Sequence, residues 1–132
     1  MDNAFFETSW DRDEILEGWD EADGCLVSDR VIMDGLPVGY MYRIMPEGVT
    51  TFVKYDSGWR FFSEVDDEEY VKNPDAIGIY RLKTICRHCP DILPLLKAPY
   101  GTAYRRDKDG KFQEEIFEPL EEEGWDLFEN EY

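Results

Sequence analysis

Cys86 and Cys89 are the side chains whose type and spacing could most directly support chemistry. Arg87 and His88 separate them, and a Cys-x-x-Cys pair beside an imidazole can hold a low-pKa thiolate for disulfide exchange. Thioredoxin-like folds place such a pair early in the chain, at the start of a helix that follows a strand. Here the pair lies in a region typical of a short connecting helix. We therefore favour structural thiols and keep a thiol oxidoreductase as the less favoured alternative.

Zinc binding and nucleophilic catalysis are both poorly supported by this sequence. Cys25, Cys86, Cys89 and His88 are all the cysteines and histidines of the chain, and a closed structural zinc site needs four ligands. His88 lies between two of the cysteines, which makes tetrahedral closure awkward. A serine nucleophile such as Ser57 has only His88 as an imidazole partner, and nothing in the sequence places the two together.

The acidic run 66–69 resembles a cation site only superficially. It reads Asp-Asp-Glu-Glu and lacks the alternating oxygen ligands and the central glycine of a calcium loop. We interpret it as the solvated amino terminus of a helix. The sequence therefore predicts a protein that is not an enzyme and has no catalytic residue, no cofactor and no metal.

The segment 56–60, Asp-Ser-Gly-Trp-Arg, has two interpretations. It could be an exposed recognition loop, with Trp59 as an anchor and Arg60 as a hydrogen-bonding fork. It could instead be a structural turn in which Asp56 caps the loop and Trp59 packs in the core. We favour the turn, because strand alternation puts Trp59 and Phe61 on one face. Asp56, Trp59 and Arg60 stay candidate partner contacts.

The charge of the chain is unevenly distributed. It has 31 acidic and 14 basic residues and a net charge of -17. Residues 1–24 contain nine acidic residues and one basic residue, residues 114–132 contain nine acidic residues and no basic one, and residues 25–113 are balanced. We divide the chain accordingly into an acidic amino-terminal segment with a short helix (1–24), a neutral α+β core (25–113) and an acidic, aromatic carboxy-terminal segment (114–132).

Aromatic side chains interrupt both acidic ends. They could pack each end onto the core, which we favour, or contact a partner directly, because buried aromatic rings dominate interface energetics. A field of this sign repels nucleic acid and anionic membranes and favours a basic protein partner. The alternative is an acidic mimic of nucleic acid, or a regulatory binder of a basic protein. The candidate partner contacts in the last segment are Trp125, Phe128, Glu121, Glu122 and Glu123.

Length and composition predict one cytoplasmic domain. A chain of 132 residues is the size of a single core. Its apolar runs are shorter than the roughly 20 residues that cross a bilayer, and its amino terminus lacks a basic stretch followed by an apolar one. Three cysteines, an odd number, suit reduced thiols better than a disulfide scaffold.

The pattern of elements predicts a single α+β domain with a mainly antiparallel mixed sheet and short helices. Residues 25–33 and 37–45 are predicted to be two strands joined by a tight turn, and an Asp-Gly turn at 109–110 predicts a hairpin. Proline residues should divide the helical region 84–96. The predicted helices are 9–18, 66–72 and 84–96, and the predicted strands are 25–33, 37–45 with 50–55, 59–62, 77–82, 100–106 and 111–117.

Residues 25–106 resemble a bacterial family grouped as immunity protein 33-like, formerly a domain of unknown function. The segment at 56–62, DSGWRFF, carries the most specific part of this resemblance. The other matching segments are VSDRV at 27–31, GLPVGYMYR at 35–43, EY at 69–70 ahead of NP at 73–74, IGIY at 77–80, PDILPLL at 90–96 and PYGTAYR at 99–105. The resemblance implies a protein that binds and neutralises a cognate toxin in a bacterial toxin system. The acidic ends lie outside it.

Overall fold

The computed structural model describes residues 16, 18, 19, 21–46, 55–73 and 76–120. This part of the chain contains six strands and three short α-helices, with a 3-10 helix after the last of them. The strands are β1 (Gly24–Ser28), β2 (Val38–Arg43), β3 (Asp56–Ser63), β4 (Ile77–Arg81), β5 (Thr102–Arg106) and β6 (Phe112–Glu115). The helices are α1 (Asp29–Ile32), α2 (Glu68–Val71), α3 (Leu82–His88) and the 3-10 helix (Pro90–Leu95).

The six strands form one mixed sheet in the order β4-β1-β3-β2-β5-β6. Only β1 and β3 pair in parallel, whereas the four other neighbouring pairs are antiparallel. The predicted α+β class with a mainly antiparallel sheet is confirmed. No helix among the described residues is long and apolar enough to cross a membrane.

The predicted pairing of the first two strands is wrong, because β3 lies between β1 and β2. The first strand is also shorter than predicted. Its last residue, Ser28, accepts a hydrogen bond from the backbone N–H of Arg30 at 3.2 Å and so caps α1. Val31 points into the core from this helix and is fully buried. Residues 29–32 therefore bury an apolar side chain as a helix and do not continue the strand.

β3 begins earlier than predicted, at Asp56, and includes the expected turn. Gly58 has a φ of 94°, and a Cβ atom there would collide with the carbonyl oxygen of Ile44. Only glycine fits this irregular point of the strand. Beyond it the expected alternation holds, since the rings of Trp59 and Phe61 stack with centroids 5.9 Å apart.

The later elements follow the sequence closely. Residues 77–81 form β4, α2 occupies part of 66–72, and Cys89 ends α3 before the 3-10 helix that contains Pro94. The hairpin predicted around residues 107–110 joins β5 to β6. The predicted helix at 9–18 and the strand at 50–55 lie mostly outside the described residues.

The two faces of the sheet bury separate apolar clusters. On one face, Trp59, Phe61 and Met41 pack with residues of α1, α3 and the 3-10 helix. On the opposite face, Tyr42 and Phe62 pack with residues of α2 and of 117–120. Both faces are therefore covered.

Candidate functional site

Asp56 and Arg60 form a buried ion pair within β3. The Arg60 guanidinium donates from Nη1 to Oδ1 of Asp56 at 2.8 Å and from Nη2 to Oδ2 at 2.9 Å. Both side chains are 4% exposed. Oδ1 of Asp56 also accepts the backbone N–H of Gly58 at 2.8 Å. The carboxylate thus caps the irregular start of β3 while the arginine neutralises its charge.

Trp59 is fully buried and ties β3 to the end of the 3-10 helix. Its indole Nε1 donates to the carbonyl oxygen of Leu96 at 2.9 Å. Residues 56–60 are therefore not an exposed recognition loop, and the interpretation as a structural turn fits this segment better. The structure brings Asp56, Trp59 and Arg60 together as buried groups of β3. Their contacts stabilise the sheet, and burial keeps their side chains away from the surface of a partner.

The Cys86–Cys89 pair does not have the environment of a redox centre. Burial raises the pKa of Cys86 to about 11, and burial also raises the pKa of Cys89. The Cys89 thiol donates a hydrogen bond to Oδ1 of Asp91 at 3.1 Å, which favours the protonated form. Reactive cysteines need a lowered pKa, whereas both of these pKa values are raised, so this environment favours protonated thiols at neutral pH.

The acidic run 66–69 is the beginning of α2. Oδ1 of Asp67 accepts the backbone N–H of Tyr70 at 2.7 Å and caps the helix. Oδ2 of Asp66 accepts the backbone N–H of Ser63 at 2.9 Å. Among the residues that the structure describes, no group of three or more histidine, cysteine, aspartate or glutamate side chains could hold a metal ion.

An open groove of about 460 Å³ lies beside the β5–β6 hairpin. Its wall includes Arg106 and Asp107, and both are engaged within the chain. Arg106 donates from Nη1 to Oδ2 of Asp91 at 2.6 Å, and Asp107 accepts the backbone N–H groups of Asp109 and Lys111. These contacts stabilise the hairpin and occupy both side chains within the chain.

The end of the acidic amino-terminal segment is held between two cations. Trp19 is 5% exposed and packs in the core with Leu16. The Arg43 guanidinium carbon lies 5.3 Å from the Trp19 ring centroid, and Nζ of Lys97 lies 5.7 Å from it. Nζ of Lys97 also donates to the carbonyl oxygen of Gly18 at 3.0 Å.

Arg43 is the residue that sequence reasoning missed at this point. It donates from Nε to the carbonyl oxygen of Ser57 at 2.9 Å and from Nη1 to that of Ala98 at 3.0 Å. Nη2 reaches Oε1 of Glu21 at 3.3 Å, and the Tyr100 ring lies 4.6 Å away. Nothing in the local sequence distinguishes Arg43 from a surface arginine, because its partners come from distant segments.

The start of the acidic carboxy-terminal segment packs on the other face of the sheet. The backbone N–H of Leu120 donates to the Tyr42 hydroxyl at 3.0 Å. The Phe117 ring meets the Tyr42 ring edge-on, with centroids 5.8 Å apart. The inner part of each acidic end therefore docks onto the body. Trp125, Phe128 and Glu121 to Glu123 lie outside the described residues.

A model of the immunity protein Imm33 domain matches residues 25–116 of the chain. The chain belongs to this family. The sequence resemblance is thus confirmed, and it extends beyond β5 to the end of β6. No match was found to a curated protein or to a solved structure.

The Imm33 domain covers the sheet but not the anchors of the acidic ends. It begins at Cys25 in β1 and ends just after β6. Trp19 and Glu21 precede it, while Phe117 and Leu120 follow it. The residues of the domain that receive these anchors, Arg43 and Tyr42, are neighbours in β2.

Proposed function

We propose that this Imm33 protein is a non-catalytic immunity protein, which binds a cognate bacterial toxin and neutralises it in the cytoplasm. The match of the Imm33 domain to residues 25–116 is the observation that carries the proposal. The protonated thiols and the buried Asp56–Arg60 pair support a binding role, since neither offers a reactive group to a substrate.

The electrostatics support a basic partner. The net charge is -17, and all of the excess lies in residues 1–24 and 114–132. A field of this kind accelerates encounter with a positively charged surface and suppresses binding to surfaces of like charge. The candidate contacts Trp125, Phe128 and Glu121 to Glu123 would add aromatic anchors and carboxylates to such an interface.

The second candidate is an acidic mimic that occupies the nucleic-acid-binding surface of a basic protein. The same charge excess favours it, because spaced carboxylates can replace phosphates. The two functions differ in what the partner does. A mimic competes with DNA or RNA for its partner, whereas an immunity protein protects a cell against a toxin whatever the toxin attacks.

Growth of a bacterium that produces a candidate toxin domain from the gene neighbourhood of this protein tests the proposal. We expect co-production of the Imm33 protein to restore growth, and we expect no rescue from an Imm33 protein of another system. A chain that forms no complex with the neighbouring toxin and leaves the cells unprotected would refute the immunity function. Displacement of DNA or RNA from the partner would favour the mimic.

A further inference from the structure

Two large apolar side chains lie exposed at one end of the sheet. Met33 follows α1 and is 74% exposed, and Val65 follows β3 and is 58% exposed. Arg30 precedes Met33 by three residues, which places both on one side of α1. Its Nη1 donates to the carbonyl oxygen of Val65 at 2.7 Å. This contact joins the two segments, and we name Met33 and Val65 the apical patch.

Arg30 holds the segments of the apical patch in place. Its guanidinium carbon lies 3.9 Å from the centroid of the Tyr70 ring in α2. Its Nη1 lies 3.6 Å from Oδ1 of Asp66. The loop after β3, the start of α2 and the end of α1 are therefore linked through one side chain. A surface fixed in this way loses little conformational entropy when a partner binds.

Several residues close to Met33 and Val65 in the sequence are acidic. The exposed ones are Asp34, Glu64, Asp67 and Glu69. Asp66 is buried beneath them, and within the described residues its Oδ1 accepts no hydrogen bond. The apolar side chains of the patch thus have exposed carboxylates as close sequence neighbours, and we call these four acidic residues its rim.

We propose that the apical patch docks a basic surface of the cognate toxin. This inference rests on the proposed function and names the surface that performs it. Exposed apolar anchors at the centre and charges at the rim are the usual anatomy of a protein interface, and the rim carboxylates complement lysine and arginine. A second copy of this chain is disfavoured as the occupant, because its own rim and its net charge of -17 would repel the first.

A double variant, Met33→Ser with Val65→Ser, tests the patch against a candidate toxin domain from the gene neighbourhood. We expect its dissociation constant to rise about tenfold or more, because the variant removes the central anchors. Met45→Ser is the control, since Met45 is 58% exposed and lies after β2, outside both acidic ends. It should bind as the parent does. Hydrogen exchange of the parent complex should show added protection at residues 29–36 and 63–70.

The outcomes separate the patch from the function. A parent protein that binds the toxin while the double variant binds equally well would overturn the patch and leave the immunity function intact. Protection confined to other residues of the complex would do the same, and it does not depend on the variant folding. A parent protein that does not bind the toxin would overturn both. Self-association that the double variant abolishes would assign the patch to a second copy instead.

Discussion

Tyr42 and Arg43 are consecutive residues of β2 that hold the two acidic ends of the chain on opposite faces of the sheet. Tyr42 accepts the backbone N–H of Leu120 on one face. Arg43 contacts Trp19 and Glu21 on the other. Both attachments lie in β2, which is paired on either side with β3 and β5, so the inner part of each acidic end is held by an interior strand of the sheet.

Replacing Trp19 should destabilise the whole domain. Trp19→Ala removes a ring that is 5% exposed, and we expect the free energy of unfolding to fall by about 3–5 kcal/mol. Trp19→Phe keeps a ring and loses the indole hydrogen bond to the carbonyl oxygen of Ala22, so its loss should be clearly smaller. Denaturant unfolding measures both. Equal stability of Trp19→Ala and the parent would show that the segment is not docked in solution.

Removing the Tyr42 hydroxyl should release the carboxy-terminal segment locally. Tyr42→Phe leaves the ring contact with Phe117 and removes the acceptor for the N–H of Leu120. We expect a global loss of about 0.5–1.5 kcal/mol and faster hydrogen exchange at the Leu120 amide. Tyr100→Phe is the control, because it keeps the ring beside Arg43. Unchanged protection of Leu120 in Tyr42→Phe would contradict the contact.

The Asp56–Arg60 pair should show strong coupling. Arg60→Met leaves the Asp56 carboxylate buried without its cation, and we expect a loss of about 3–5 kcal/mol. Adding Asp56→Asn removes the unpaired charge, so the double variant should be more stable than Arg60→Met alone. Denaturant unfolding of the single and double variants measures the coupling energy. Additive losses would mean that the two side chains do not interact.

The Cys86 thiol should react slowly at neutral pH. Its folded pKa of about 11 is above that of a free cysteine, so its thiolate is scarce at pH 7. The fraction of Cys86 in the thiolate form should rise about tenfold for each pH unit until the pH approaches that pKa. Alkylation rates of the native protein between neutral and alkaline pH, followed by mapping of the modified residue, measure this. A rate at Cys86 that levels off below pH 8 would contradict the structure.

Local signals in the sequence predicted many of the elements. The Asp-Gly turn specified the β5–β6 hairpin, and Pro90 marked the break between α3 and the 3-10 helix. The pairing of β1 with β3 could not be predicted, because strand neighbours distant in sequence leave no local trace. A strand was predicted through residues 29–32 since Val31 and Ile32 are β-branched, whereas the Ser28 cap and the burial of Val31 favour α1.

The candidate site was less predictable than the fold. The acidic ends and the family were visible in the sequence, but the environment of Trp59 and Arg60 was decided by tertiary contacts with Leu96 and Asp56. Met33 and Val65 resemble ordinary core residues in the sequence. Only the positions of α1 and of the turn after β3 show that both face outward.

Calorimetric titration of the purified protein with a candidate toxin domain from its gene neighbourhood tests the central claim most directly. We expect one toxin domain to bind each chain, with an affinity that falls as the salt concentration rises, because the proposed partner of this strongly acidic protein is basic. The absence of binding at low salt, or turnover of a substrate by the Imm33 protein itself, would contradict the proposed non-catalytic immunity function.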